Sequence, residues 1–129
     1  MNKYNDKPVS YSYETRLACP GCSTQNLHHW RVEVFHRGED KEKGLHVDIG
    51  RDTPPPDDPG EDVHIDSRLT GNPSRRRHGL KVYFYCENCS VEPVLCLAQH
   101  KGETELYWDA DSLVEKKQPW REEEETHLD

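Results

Sequence analysis

The sequence predicts a mostly β protein: an antiparallel sheet with a long inserted hairpin, a proline-rich loop and at most one short helix near the C-terminus. Runs that alternate apolar with polar residues, or that are rich in β-branched and aromatic residues, predict strands. They cover residues 30–34, 45–49, 63–65, 80–85, 94–98 and 104–108. Two C-x-x-C pairs, Cys19–Cys22 and Cys86–Cys89, adjoin these runs and indicate a shared metal site.

Two hairpins are predicted from the connections between these runs. Residues 37–44 are charged and flanked by glycines, so the runs on either side of them are expected to pair. The final two runs flank Gln99-His100-Lys101-Gly102, which predicts a second tight turn. Both connections are short, and short connections join antiparallel neighbours.

The remaining connections predict a loop and a short helix. Residues 53–60 contain four prolines, which remove backbone donors and fix φ, so this acidic stretch is expected to be a loop. Residues 111–117 predict one or two helical turns before Pro119 ends them. We expect a loosely ordered arm over residues 1–16, a β domain over 17–109, and the helix with an acidic tail over 110–129.

The composition limits the size of the core and the class of partner. Of 129 residues, 32% are apolar and 33% are charged, so a small core needs support beyond apolar burial. The net charge of −8 argues against a general nucleic-acid or membrane-surface binder, because neutralising phosphates requires a surplus of Lys and Arg.

The cysteine count and the apolar pattern predict a reducing, cytoplasmic location. Five cysteines is an odd number, residues 1–7 contain no apolar leader segment, and no run approaches the ~20 apolar residues of a membrane span. Metal-bound thiolates fit these features better than a secreted disulfide framework does.

The four paired cysteines predict one structural zinc ion. Each C-x-x-C places two thiolates on one turn, and two such turns supply the tetrahedral set that Zn²⁺ prefers. The 63 residues between Cys22 and Cys86 must then form a folded excursion that returns to the site. Four thiolates leave no open position for water, so the site is expected to be structural. The alternatives are four ordinary thiols or a redox pair, but a redox C-x-x-C opens an amphipathic helix, and neither pair does.

The knuckles and their strands resemble the zinc-ribbon class, over about half of the chain. That class is usually written C-P-x-C-G; Cys19-Pro20-Gly21-Cys22 matches the proline, while Ser23 and Ser90 stand where the class prefers glycine. The stretch 71–80, leading to 84–89, also looks like small uncharacterised bacterial and phage zinc-ribbon proteins. The resemblance implies a zinc-ribbon-like sheet and a bacterial or phage setting, and it implies no activity.

Two further sets of metal-ligating or nucleophilic side chains receive simpler interpretations. Cys96 lies in the apolar run 94–98 and is predicted to be a buried core thiol; the alternative, a nucleophile, requires an adjacent histidine. His28 and His29 are the only paired histidines, and neighbouring strand residues point to opposite faces, so they make a poor chelate for a second metal.

The candidate partner surface is the cationic block Arg75, Arg76 and Arg77, extended by Lys81. It could contact nucleic acid or an acidic protein, with Trp30, Tyr83 or Tyr85 nearby for base stacking. The alternative is a solvated loop, or arginines that pair internally with the acidic residues Asp57, Asp58, Glu61 and Asp62.

The three tryptophans are the remaining candidates. Trp30 and Trp108 are in phase with an apolar strand face and are predicted to be core, and Trp120 lies in the acidic tail as a possible docking residue.

These observations predict a non-enzymatic, zinc-stabilised interaction module that binds a protein partner. The first alternative is a nucleic-acid-binding zinc ribbon that uses the face from Arg75 to Lys81. The second is an enzyme of unrecognised type. The sequence contains no nucleotide-binding loop, no recognisable pair of catalytic carboxylates and no open metal site to favour it.

Overall fold

A computed structural model of the protein describes residues 7–13, 15–55, 57, 58 and 60–114. The strands within these residues are β1 (Lys7–Pro8), β2 (Tyr11–Tyr13), β3 (Arg16–Leu17), β4 (Leu27–His36), β5 (Leu45–Ile49), β6 (Val63–Asp66), β7 (Gly79–Cys86), β8 (Val94–His100) and β9 (Glu103–Trp108). Seven of them form one antiparallel sheet in the order β1-β9-β8-β7-β4-β5-β6, and β2 pairs with β3. The predicted mostly β class is confirmed.

All six predicted runs are strands, and both predicted hairpins form. β4 pairs with β5 across the charged turn, and β8 pairs with β9 across Lys101 and Gly102. Lys101 has a φ of +55°, in the left-handed region that such a tight turn uses. The connection between β6 and β7, residues 67–78, contains no strand and runs as a loop.

The predicted helix is shorter than expected and is of the 3-10 type. It spans Ala110–Leu113, with the Asp109 side chain accepting a hydrogen bond from the Asp111 backbone N–H, and residues 115–129 lie outside the described part of the chain. Part of the predicted N-terminal arm enters the sheet, since β1 pairs with β9; the domain limits at residues 16 and 110 remain predictions. No helix in the described ranges is long and apolar enough to cross a membrane.

The register places only apolar side chains on the middle of one face of the sheet. Two rows cross six strands, and we call these twelve positions the apolar face: Leu106, Leu97, Leu80, Val34, Val47 and Ile65 in one row, and Trp108, Leu95, Val82, Val32, Ile49 and Val63 in the other. Of the twelve, only Trp108 is buried. Four of them, at the two sides of the face, are 40–66% exposed: Leu106, Ile49, Val63 and Ile65.

The opposite face of the sheet, which we call the polar face, is the more deeply buried one. Glu33 is 4% exposed, and His46 and Asp48 are 0% exposed, beside the buried ring of Phe35. The loop 67–78 lies over this face. Its Ser74 hydroxyl donates to the carbonyl oxygen of Gln99 at 2.9 Å, and its backbone at Gly71 comes close to Phe35.

The burial of the two faces is therefore the reverse of the usual pattern, in which the apolar face of an antiparallel sheet is the covered one. Trp108 is core, as predicted, but Trp30, Val32 and Val34 are only half-buried. The loop 67–78 packs on the polar side, which accounts for the deep burial there.

Hydrogen bonds and ion pairs satisfy the charges buried on the polar face. The Arg31 guanidinium donates to both carboxylate oxygens of Asp48, at 2.9 and 2.7 Å. His46 lies between two carboxylates, with Nε2 2.8 Å from Glu33 and Nδ1 2.9 Å from Asp66. The Tyr83 hydroxyl donates to the other oxygen of Glu33, and burial together with this contact raises the pKa of Tyr83.

Burial would lower the pKa of Arg31, yet the hydrogen bonds to Asp48 and the nearby negative charges raise it. The guanidinium also lies over the Tyr83 ring, 4.3 Å from its centroid. Arg31 is therefore held as a cation by several groups at once, and Asp48 is its bidentate partner.

We expect Asp48→Ala to destabilise the protein by about 3 kcal/mol, because Arg31 would remain charged and lose its bidentate acceptor in a largely buried site. Urea denaturation of the metal-loaded protein measures this loss. Asp58→Ala, at an exposed position of the proline-rich loop, is the matched control and should change the free energy of unfolding by less than about 0.5 kcal/mol. A loss below about 1 kcal/mol for Asp48→Ala would show that solvent screens the pair.

Candidate metal centre

The four cysteines come together because β4 and β7 are antiparallel. Cys19 and Cys22 lie just before β4, and Cys86 ends β7, where it is the register partner of Leu27 at the start of β4. The backbone N–H of Glu87 donates to the Asn26 carbonyl oxygen at 3.1 Å and extends this pairing past the strand ends. The same ladder that forms the middle of the sheet therefore places the second knuckle against the first.

The four sulfur atoms have the spacing of a tetrahedral thiolate site. Sγ of Cys19 is 3.8 Å from Sγ of Cys89, Sγ of Cys22 is 3.6 Å from Sγ of Cys86, and all four sulfurs lie within 4.8 Å of one another. Zn–S bonds of ~2.3 Å at tetrahedral angles give sulfur separations of about 3.8 Å. All four cysteines are free thiols, so these contacts are not disulfides. The cluster could hold one metal ion.

Each of these sulfurs accepts a hydrogen bond from the backbone N–H two residues later. Gly21 donates to Cys19 at 3.3 Å and Asn88 donates to Cys86 at 3.4 Å. Thr24 and Val91 do the same for Cys22 and Cys89. Backbone N–H dipoles from both knuckles are thus directed at the positions where thiolate charge would develop.

The thiols differ in how readily they lose a proton without a cation. Burial raises the pKa of Cys19 to about 12 and also raises that of Cys89. Burial opposes ionisation of Cys22 as well, but hydrogen bonds from Thr24 and from the neighbouring cysteines bring the pKa of Cys22 down to about 7. Four thiolates packed this closely need a cation between them, so metal binding would release protons from the cluster.

The first knuckle contains a serine in a conformation that favours glycine. Ser23 has a φ of +69°, and its N–H donates to the Cys19 carbonyl oxygen at 2.8 Å, which closes the turn. This is a position where zinc ribbons prefer glycine, and the left-handed φ gives the physical reason. Ser90, the corresponding residue after the second pair, is not among the positive-φ residues of the described chain.

Gly21 lies where the two knuckles pack closely together. A Cβ at this position would lie 3.0 Å from Cγ2 of Val91 and 3.3 Å from Sγ of Cys89. A side chain there would require these atoms of the second knuckle to shift by a few tenths of an ångström.

Cys96 lies outside this cluster, in the middle of β8 on the polar face, and is 0% exposed. His28 and His29 point to opposite sides, as their adjacent positions imply. His28 stacks on Tyr85 with ring centroids 4.9 Å apart, while His29 meets the edge of Phe84. Neither histidine belongs to a group of possible metal ligands among the described residues.

The cationic block pairs with a segment other than the one predicted. Arg76 donates to Asp40 at 2.7 and 2.6 Å and contacts Glu39 at 3.1 Å; Arg77 contacts Glu39 at 2.6 Å. The hydrogen bond from Arg76 holds the pKa of Asp40 below its usual range. The alternative prediction, that these arginines pair with the acidic residues at 57–62, is wrong for Arg76 and Arg77. Their partners belong to the β4–β5 turn, which the loop 67–78 contacts where it crosses the polar face.

The other members of the predicted partner surface do not extend this block into a continuous face. Arg75 is exposed, but Lys81 is half-buried on the polar face, with its Nζ close to the Gly71 backbone. The aromatic candidates are also engaged: Tyr83 binds Glu33 and Arg31, and Trp30 meets the edge of the Tyr83 ring at 5.9 Å. Trp120 lies outside the described residues.

Sequence reasoning missed two other groups of possible ligands. Glu33, His46 and Asp48 form one, and Asp52, Asp62 and His64 form the second, exposed one. The strand register could have revealed them. When β4, β5 and β6 are aligned, Glu33 lies opposite Asp48, and Asp48 lies opposite His64. Arg31, Tyr83 and Asp66 already occupy the hydrogen-bonding positions of the first group, so it is a closed network of charges.

We expect the purified protein to contain one metal ion per chain, with Cys86→Ser losing it. Replacement by Co²⁺ should give the strong visible and near-ultraviolet absorption of a tetrahedral thiolate complex. Because the cluster joins the two ends of the β4–β7 ladder, chelation should also abolish cooperative thermal unfolding.

Cys96→Ser is the matched control for these measurements and should keep the full metal content. An unchanged melting temperature after metal removal would show that the sheet is stable without the ion. Rapid alkylation of Cys96 in the metal-loaded protein would contradict its burial.

We expect Ser23→Gly to stabilise the protein by about 0.5–1 kcal/mol, since glycine adopts the left-handed conformation without the steric cost that serine incurs. Ser90→Gly tests the same change where no positive φ has to be accommodated, and it should be neutral or destabilising. Thermal or chemical denaturation at saturating metal compares the two, and equal effects would remove the conformational explanation.

The chain matches no protein-family model, no curated protein and no solved structure. The resemblance to zinc ribbons therefore rests on the four-cysteine cluster and on the antiparallel strands that carry it.

Proposed function

We propose that this protein is a non-enzymatic interaction module, stabilised by one zinc ion and binding a protein partner through the apolar face. The observation that carries the proposal is the exposure of that face. Twelve apolar side chains cross six strands, and eleven of them are incompletely buried. Contiguous apolar surfaces of more than a few hundred Å² are characteristic of sites of association.

The assignment of zinc rests on ligand chemistry. Thiolates are soft ligands, and a tetrahedral set of four favours Zn²⁺ or an iron centre over Mg²⁺ and Ca²⁺. The closed set leaves no site for water or substrate, which supports a structural role for the ion. Five free thiols fit a reducing compartment, such as the bacterial or phage-infected cytoplasm that the resemblance implies.

The buried groups that resemble catalytic side chains support the same proposal. His46 has both ring nitrogens engaged by Glu33 and Asp66, and it is 0% exposed. Asp48 has both oxygens engaged by Arg31. These groups are committed to one another, which favours a role in holding the loop and strands together.

The charges favour a protein partner over nucleic acid. Glu39 and Asp40 neutralise Arg76 and Arg77. Among the ion pairs of the described residues, Arg75 has no acidic partner, and the whole chain has a net charge of −8. A phosphate-binding surface requires several uncompensated cations on one face.

We expect the metal-loaded protein not to be retained on single- or double-stranded DNA or RNA at about 50 mM salt. Glu39→Gln/Asp40→Asn is an informative companion variant, because it frees Arg76 and Arg77 without adding a cation. If the wild-type protein bound nucleic acid and lost affinity by orders of magnitude between about 50 and 200 mM salt, the nucleic-acid alternative would replace our proposal. In that case Arg75→Ala/Arg76→Ala/Arg77→Ala should remove the binding.

A further inference from the structure

We infer that the partner of the apolar face is a second copy of this chain, so that two sheets pack face to face as a homodimeric β-sandwich. This inference rests on the proposed function, because it assigns an occupant to the surface named there. Four observations support it: the missing second layer, the composition of the rest of the chain, the absence of charge on the face, and the extent of the face.

Eleven of the twelve side chains on the apolar face stay accessible to solvent in the described chain, in contrast to the centre of the polar face. The loop 67–78 packs on the polar face, where His46, Asp48 and Phe35 are fully buried. A sheet with an apolar face reaches a stable arrangement by packing that face against another layer. On the apolar side Ile65 remains 66% exposed and Val63 52% exposed, and even the central Val34 and Leu80 are only half-buried.

The residues outside the described ranges are poor in large apolar side chains. Residues 1–6 include Met1 and Tyr4, and residues 115–129 include Trp120 and Leu128, among mostly charged and polar neighbours. These four large apolar residues compare with twelve positions spread over six strands. A second chain with the same face supplies the number of apolar side chains that a covering layer needs.

The face is suited to a copy of itself. None of its twelve positions carries a charge or a hydrogen-bonding group apart from the indole of Trp108. Two copies can therefore meet without opposing like charges at the interface, although each chain has a net charge of −8. Apolar sheet faces interdigitate at a spacing of ~10 Å with strands about 30° apart, and a two-fold axis makes the two surfaces equivalent.

The extent of the face matches what a dimer requires. Six strands at ~4.8 Å spacing make it about 24 Å wide. Eleven incompletely buried side chains over that width offer an area on the order of the ~800 Å² per partner that a standard interface buries. Edge-to-edge association through β1 is less suited, since that outer strand has only two residues and one is Pro8, which lacks an N–H donor.

The test is sedimentation equilibrium of the metal-loaded full chain from about 0.5 to 100 µM, with the wild type expected to be a dimer of micromolar or tighter affinity. Ile49→Lys/Leu106→Lys should raise the dissociation constant at least tenfold. Both side chains are already 40% exposed or more, so the folded monomer tolerates the change. Lysine is chosen because it lowers the net negative charge, so that weaker association cannot come from greater repulsion between whole chains.

Val114→Lys is the matched control: Val114 is 65% exposed, lies beyond the sheet strands, and should leave the dimer unchanged. Circular dichroism and metal content establish that each variant is folded. Should the double variant fail to fold, Ile65→Lys replaces it at the most exposed position of the face. A dimer that the face variants do not weaken would overturn the inference.

A monomeric wild type at every concentration would also overturn the homodimer, and a dye measurement then separates this failure from that of the proposed function. A monomer that binds 8-anilinonaphthalene-1-sulfonate, with binding reduced in Ile49→Lys/Leu106→Lys, would retain an apolar docking face for a different protein. A monomer that does not bind the dye would reject both the homodimer and the apolar docking face.

Discussion

The antiparallel pairing of β4 with β7 is the interaction on which the rest of the structure depends. One end of this ladder, at Leu27 and Cys86, assembles the four cysteines. The other end, at Phe35 and Gly79, positions the β4–β5 turn beside the arginine-containing loop, where the Asp40 N–H donates to the Arg76 carbonyl oxygen at 2.9 Å. Both ends of the ladder are thus joined by contacts between segments that are distant in sequence.

The two ends contribute to stability in different ways. Arg76, Glu39 and Asp40 are about half exposed, and exposed ion pairs contribute little because water and salt screen them. A metal bound by four thiolates contributes far more, since its binding free energy becomes folding free energy when the unfolded chain has no preformed site. The charges on the polar face add little net stability, because the loss of hydration on burial offsets their attraction. Metal binding at the cluster is therefore expected to be the largest of these contributions to stability.

Local patterns in the sequence were sufficient for the strands and for the candidate cluster. The alternation of Leu45 to Ile49 predicts a strand with the observed bounds, and the spacing within each C-x-x-C fixes two sulfurs on one turn. Alternation has a period of two, but it does not say which face another segment covers. That choice depends on the path of the loop 67–78, which has no periodicity of its own. The burial of Glu33 and His46, and the pairing of Arg76 with Asp40, follow from that path and were for this reason not predicted.

The charged side chains buried on the polar face also have a role in the alignment of the strands. Hydrogen-bonded charges fix the register of these strands more strictly than apolar contacts do, because a buried charge that loses its partner is costly. Slipping β5 by one residue against β4 would separate Asp48 from Arg31 and His46 from Glu33 together, so that four buried groups would each lose a partner at once. The network on the polar face therefore specifies the alignment of β4, β5 and β6. That alignment brings Val34, Val47 and Ile65 into one row on the other side, so the pairing of buried charges determines the shape of the surface that remains available for association.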